Sequence, residues 1–222
     1  MRRFRFFVVC FAVAFAPILF AITDTEMDDF EDGTVENWEQ PAVNGEPQNI
    51  ATGGPEGVDD NYLQVISNGG GGPGSRMAVV NNTQWTGDYE SIGGEFTISM
   101  KLANFGANPL SVRIGVEGPA TRAPGEGGEG VAAGVGRWVS TNAFALPADG
   151  VWRTTSFTLS EAEMTSVGAM VDFDTLMSAV GQFRIISAAT PDWIADAVAA
   201  TMGVDDIQVE SVPVELQSFS IE

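Results

Sequence analysis

Two runs decide the fold: Glu95–Leu102 (EFTISMKL) and Leu110–Glu117 (LSVRIGVE). In the first, Phe96, Ile98, Met100 and Leu102 alternate with Glu95, Thr97, Ser99 and Lys101. Successive side chains on an extended backbone point to opposite faces, so this parity describes a half-buried antiparallel strand. In the second, Val112, Ile114 and Val116 stand opposite Ser111, Arg113 and Glu117. The segment between them, Asn104–Pro109 (NFGANP), is rich in turn formers and predicts a hairpin.

Outward from this pair, similar runs recur between clusters of Gly, Pro, Asn and Asp. They predict strands at Tyr62–Ser67, Arg76–Val80, Trp152–Leu159, Gln182–Ser187 and Val204–Val209. Helical signals are few. Ser160 and Glu163 have capping-box spacing, and Phe173–Val180 is long enough for about two turns. Thr190 followed by Pro191 predicts a cap and first-turn proline opening a helix over Asp192–Ala200. The expected fold is therefore all-β: two packed antiparallel sheets with short helical turns in the connections. One domain is expected over residues 28–210, followed by a tail at 211–222.

The first 21 residues differ in kind. Arg2, Arg3 and Arg5 precede an apolar run, Phe6–Phe20, and acids follow at Asp24, Glu26, Asp28 and Asp29. That order predicts a secretory signal peptide over residues 1–21, cut after Ala21, and a secreted or periplasmic product without a stable membrane span. The competing reading is a retained anchor, since Phe6–Ile22 reaches the lower limit of a spanning helix.

Composition closes several doors. The 222 residues hold 10 Lys+Arg, 30 Asp+Glu and no His, a net charge of −20. Nucleic acid is not an expected partner, because affinity for it comes from Lys and Arg displacing counterions. Without His there is no Ser-His-Asp or Cys-His chemistry, and the one Cys, Cys10, lies in the leader. Only a carboxylate pair could serve catalysis, and no pair stands apart from the other acids, so no catalytic residue is assigned and an enzyme is not expected. Two glycine-rich stretches are not nucleotide loops. Gly69–Gly74 lacks the following Lys-Ser/Thr, and Gly125–Gly130 (GEGGEG) carries two glutamates where a pyrophosphate would sit.

The acids cluster at Asp28–Asp32, at Asp59-Asp60-Asn61 and at Asp205-Asp206. If Asp205 alternates with Ile207 and Val209 on one face, a carboxylate points into the core, where it must be paired or hold a metal. The ligands on offer are all oxygen, which suits calcium, although Phe30 breaks the EF-hand spacing.

The opening F-E-D-G-T-x-x-x-W (Phe30 to Trp38) and the closing V-D-D-I-x-V (Val204 to Val209) resemble the bracketing strands of galactose-binding-like jelly rolls. That group includes many bacterial carbohydrate-binding modules, and the opening also resembles laminin-type domain IV. The stretch Gly69–Trp85, with Asn104-Phe105-Gly106, resembles secreted bacterial proteins that often end in a Pro-Glu-Pro sorting tail, whereas this chain ends VPVELQSFSIE. The resemblance implies an antiparallel jelly-roll sandwich with first and last strands side by side. It also implies a structural Ca2+ held by Glu31 and by Asp205 or Asp206, with Asp60 as a further ligand.

It implies a carbohydrate or glycan partner as well. Sugar rings present apolar C–H faces that stack on aromatic rings. Trp85 and Tyr89, in a polar loop with Asn82 and Gln84, form the best such constellation, and Trp138 beside Arg137 is a second. Trp193, next to Asp192, is a weaker candidate, while Trp38 and Trp152 read as core or strand-end residues. The alternative function is a structural or adhesive envelope protein with no small-molecule ligand.

Overall fold

The computed structural model describes residues 22–41, 45–72, 74–93, 96–118, 135–168 and 171–211. The expected signal peptide, the Gly125–Gly130 stretch and residues 212–222 lie outside them. In chain order the elements are β1 (Met27–Asp28), β2 (Trp38–Glu39), β3 (Gln48–Ile50), β4 (Tyr62–Asn68) and β5 (Ala78–Asn81). There follow β6 (Phe96–Asn104), β7 (Leu110–Gly118), β8 (Gly136–Ser140), β9 (Phe144–Leu146), β10 (Arg153–Leu159) and β11 (Met164–Ser166). The chain then forms α1 (Phe173–Met177), β12 (Gln182–Ser187) and β13 (Ala199–Ser211).

These strands build two antiparallel sheets. The first runs β10-β6-β13-β4-β3, with β1 on β13; the second runs β11-β8-β7-β12-β5-β2, with β9 on β7. The expected all-β sandwich is present, and so is the expected neighbourhood of chain ends, since Met27 and Asp28 pair with Gln208 and Ile207. Its core lies between the sheets. Leu63 and Val65 of β4, Ile98, Met100 and Leu102 of β6, and Met202 and Val204 of β13 face Val112, Ile114, Val116, Phe183 and Ile185 of the second sheet. Burial of side chains like these contributes about 1.5–3 kcal/mol each.

Three local expectations are corrected. β6 and β7 do not form a hairpin; β6 pairs with β10 and β13, and β7 with β8, β9 and β12. The Asn104–Pro109 link instead carries the chain from one sheet to the other. It is held by Phe105 N donating to Thr201 O at 2.8 Å and Asn104 Nδ2 to Asn108 O at 2.8 Å. The predicted helix at Asp192–Ala200 is absent: residues 189–198 are irregular and β13 begins at Ala199. There Trp193 and Ala195 cover the outer face of the second sheet, with the Arg184 guanidinium 3.9 Å from the Trp193 ring centre. Ser160–Glu163 is a tight turn between β10 and β11, not a helix, although Glu163 N and Met164 N both donate to Ser160 O. The helix predicted from Phe173 does form. Asp172 caps it by accepting from Thr175 N at 2.8 Å, and it stops at Met177.

The long strand β13 carries one irregularity that matters. Ala200, Met202 and Val204 face the core, then Ile207 and Val209 do, so the alternation slips by one residue. A bulge between Asp205 and Gln208, with Asp206 at φ 47°, produces the slip. Asp205 therefore shares no face with Ile207, as the unbroken alternation predicted. It is buried all the same, at 2% exposure.

Candidate functional site

Trp85 and Tyr89, the expected sugar platform, are fully buried and offer no ring face to solvent. Trp85 packs 5.4 Å from Phe183 and 6.4 Å from Trp38, and Tyr89 Oη donates to Trp85 O at 2.9 Å. The polar residues around them face inward to serve buried groups. Asn82 Nδ2 donates to Glu39 and Asn82 Oδ1 accepts from Gln182. Gln84 Nε2 donates to both carboxylate oxygens of Asp28. Trp138 is half-buried, its Nε1 on Val171 O at 3.0 Å and its ring edge-on to Phe173. Trp193 is buried as well.

Asp28 is what this polar loop is built around. Its Oδ2 accepts the indole N–H of Trp38 and of Trp85, both at 2.6 Å, inside the sandwich. Burial pushes its carboxyl up, and the bonds from Trp85, Trp38 and Gln84 pull it back. Beside it Glu36, at φ 46°, is pushed up to about 8, chiefly by burial and then by the Asp28 charge. Glu36 Oε2 is buried and meets no donor among the described residues. Glu36 thus keeps its proton at neutral pH. A cleft of about 490 Å³ opens over the two carboxyls, lined also by Thr23, Glu26, Asp32 and Thr83.

The four expected calcium ligands are spread over several tasks. Glu31 Oε1 accepts from Asn61 N at 2.7 Å, and Asp206 is paired with Lys101 at 2.7 Å. Asp205 is buried, its Oδ1 accepts from Asp206 N, and its carboxyl is pushed up to about 8, by burial first and with Asp206 and Asp60 adding charge repulsion. Asp60 itself accepts from Glu56 N. Asp205 thus has the charges of Asp206 and Asp60 acting on it. Among the described residues no three acidic side chains stand near enough together to hold a metal ion by carboxylates alone.

The exposed aromatic surface lies elsewhere, on the outer face of the first sheet. Tyr62, Phe105 and Trp152 pack against one another with ring centres 5.3 to 5.8 Å apart, two of the three contacts edge-on. They sit over Gly203, where a Cβ would meet Trp152 Cη2 at 2.7 Å and Phe105 Cε2 at 2.9 Å. Trp152 is pinned by its Nε1 bond to Gly53 O. Phe105 remains 40% exposed and Ile66 49%. Register places Gln48, Gln64, Gly203 and Ala103 in one row across four strands, so two amides lead up to the aromatic group. The arrangement combines a rigid apolar face with neutral hydrogen-bonding groups. Sequence reading missed it because Phe105 lies in a turn-rich link and Tyr62 opens a strand; the outward parity of Tyr62, Gln64 and Ile66 was the available signal.

No protein-family model and no curated protein matches the sequence. Solved structures do. What they share with this chain is the antiparallel β-sandwich fold. The chain superposes on an exo-β-agarase with a TM-score of 0.55 at 12% identity, over 87% of this chain and 25% of the agarase. The chain thus spans about a quarter of that enzyme. Two smaller proteins also match in shape: CtCBM11 (TM-score 0.47, 15% identity, 84% of this chain and 94% of that one), and the N-terminal cellulose-binding domain of Cellulomonas fimi β-1,4-glucanase C (TM-score 0.38, 18% identity, 84% and 95%). At these identities the likeness is one of fold.

Proposed function

We propose that this protein is a secreted, non-catalytic carbohydrate-binding module whose ligand lies against Phe105. The observation that carries the reading is the braced, exposed aromatic group beside Gln64 and Gln48 on the outer face of the first sheet. A pyranose C–H face stacks on the Phe105 ring, while the amides meet hydroxyl groups. Among the described residues no helix is long and apolar enough to cross a membrane. The test is glycan-array binding followed by titration of the best glycan. Phe105→Ala should lower affinity by about 1–3 kcal/mol, as for other aromatic anchors, with little change in Tm because the ring is 40% exposed. Undiminished binding by Phe105→Ala would remove the site.

A structural calcium belongs to the same proposal. Asp205 and Asp60 fit it in one respect: a buried carboxyl faced by a second acid is relieved by a divalent cation. Glu31 and Asp206 would join only by giving up Asn61 and Lys101, so backbone oxygens would complete the shell. Calcium at a hundredfold excess over Kd should then stabilise the fold by about 2.7 kcal/mol, and Asp205→Ala should abolish that gain. Identical melting curves in chelator and in calcium, at fixed ionic strength, would exclude the ion.

A further inference from the structure

We infer that the surface around Phe105 is selective for uncharged polysaccharides and rejects uronate and sulfated chains, an inference that rests on the carbohydrate-binding reading. Tight recognition of an anionic sugar is favoured by an unpaired cation, because hydrogen bonds between two charged groups are roughly twice as strong as neutral ones. Among the described residues, the lysine of this sheet face and the arginine that follows Trp152 in the chain are both already engaged. Lys101, on the same sheet face, is 2.7 Å from Glu56 and 2.7 Å from Asp206. That double contact raises its pKa and lowers that of Glu56. Arg153, next to Trp152, is held by both oxygens of Asp149 at 2.8 and 2.7 Å.

The hydrogen-bonding side chains in the row beside the rings are neutral: the Gln64 and Gln48 amides, with Thr201 opposite Ile66. They match hydroxyls, as the rings match C–H faces, and offer a sulfate nothing stronger than an amide. The wider field acts in the same direction. A net charge of −20 repels a polyanion before contact, over a range set by the Debye length of about 10 Å at 0.1 M salt. A neutral chain feels no such term. Selectivity therefore comes from paired cations close to the ring and from the whole-molecule field farther away, and only the second is screened by salt.

The experiment uses matched backbones: hydroxyethylcellulose against carboxymethylcellulose, and agarose against chemically sulfated agarose, with a mixed glycan array to find the best ligand. Wild type should bind uncharged glycans with affinity nearly independent of salt. On the same backbone the anionic chain should bind at least about tenfold more weakly at low ionic strength, and the gap should narrow but not close as salt rises. Phe105→Ala should weaken the binding of the neutral chain by roughly five- to a hundredfold. Array hits confined to uronate or sulfated glycans, or an anionic chain bound as tightly as its neutral partner, would overturn the selectivity while leaving the carbohydrate-binding reading intact. An array without any hit in either salt condition would sink that reading, and the inference with it.

Discussion

Trp85→Ala is expected to lower stability by about 3–5 kcal/mol, the usual cost of removing a large aromatic from a core. For a chain of this size that is a fall in Tm of roughly 10 °C or more. The indole is wholly enclosed, touches Phe183 and Trp38, and supplies one of the two short bonds to Asp28. The substitution therefore opens a cavity and strips a buried carboxylate of a donor together. Glycan affinity of the fraction that still folds should be unchanged, because the ring has no exposed face. A variant that melts like wild type but loses glycan binding would show that Trp85 reaches the ligand.

The second large effect concerns the carboxyl pair beneath the cleft. Asp28→Ala removes the acceptor of two indole N–H groups and of the Gln84 amide. Each orphaned donor costs about 1–3 kcal/mol, so a total near 3–5 kcal/mol is expected. The same pair gives stability a pH dependence of definite sign. Glu36 keeps its proton in the folded state to about pH 8, whereas in the unfolded chain it releases it near 4.5. Between these values the folded state binds more protons, so stability is full below the lower one and declines as pH climbs through the upper one. Asp205, also raised to about 8, adds a contribution of the same sign. Tm should therefore fall from about pH 5 to about pH 9. Asp28→Asn, which removes the second-largest cause of the Glu36 shift, should flatten that fall without erasing the Asp205 share. A Tm that rises over this interval would contradict the pairing of Asp28 with Glu36.

What the sequence revealed depended on how local the controlling physics is. β6 and β4 keep a period of two over seven or more residues, and their register with the core follows from it. β12 is buried on both faces, with Arg184 lying under Trp193, a cover that comes from an irregular segment the strand's own pattern does not show. Strands of two or three residues, such as β1, β2 and β9, have no period to show and exist because a partner strand supplies the hydrogen bonds. The expected hairpin between β6 and β7 is absent because the Asn104–Pro109 link crosses from one sheet to the other, which turn-forming residues alone do not reveal. At the site, Asn82 and Gln84 looked like ligand-facing amides. Their partners, Glu39, Gln182 and Asp28, are 43, 100 and 56 residues away along the chain, beyond the reach of any local pattern. The outer aromatic group is distributed in the same way, over β4, a link and the start of β10.

The position of β13 has a consequence for how the molecule comes into being. This strand lies between β6 and β4, with β1 also on its edge, yet it is the last of the described strands in chain order. Until residues 199–211 are available, β4 and β6 have no shared neighbour and β1 has no partner at all. Every pairing in the middle of the first sheet closes a loop of roughly a hundred residues or more, a topology that slows folding relative to locally paired proteins. The nascent chain therefore cannot zip up from its beginning as it is made. The β3–β4 and β6–β10 pairs can form earlier, but the centre of the first sheet closes only when its final strand arrives.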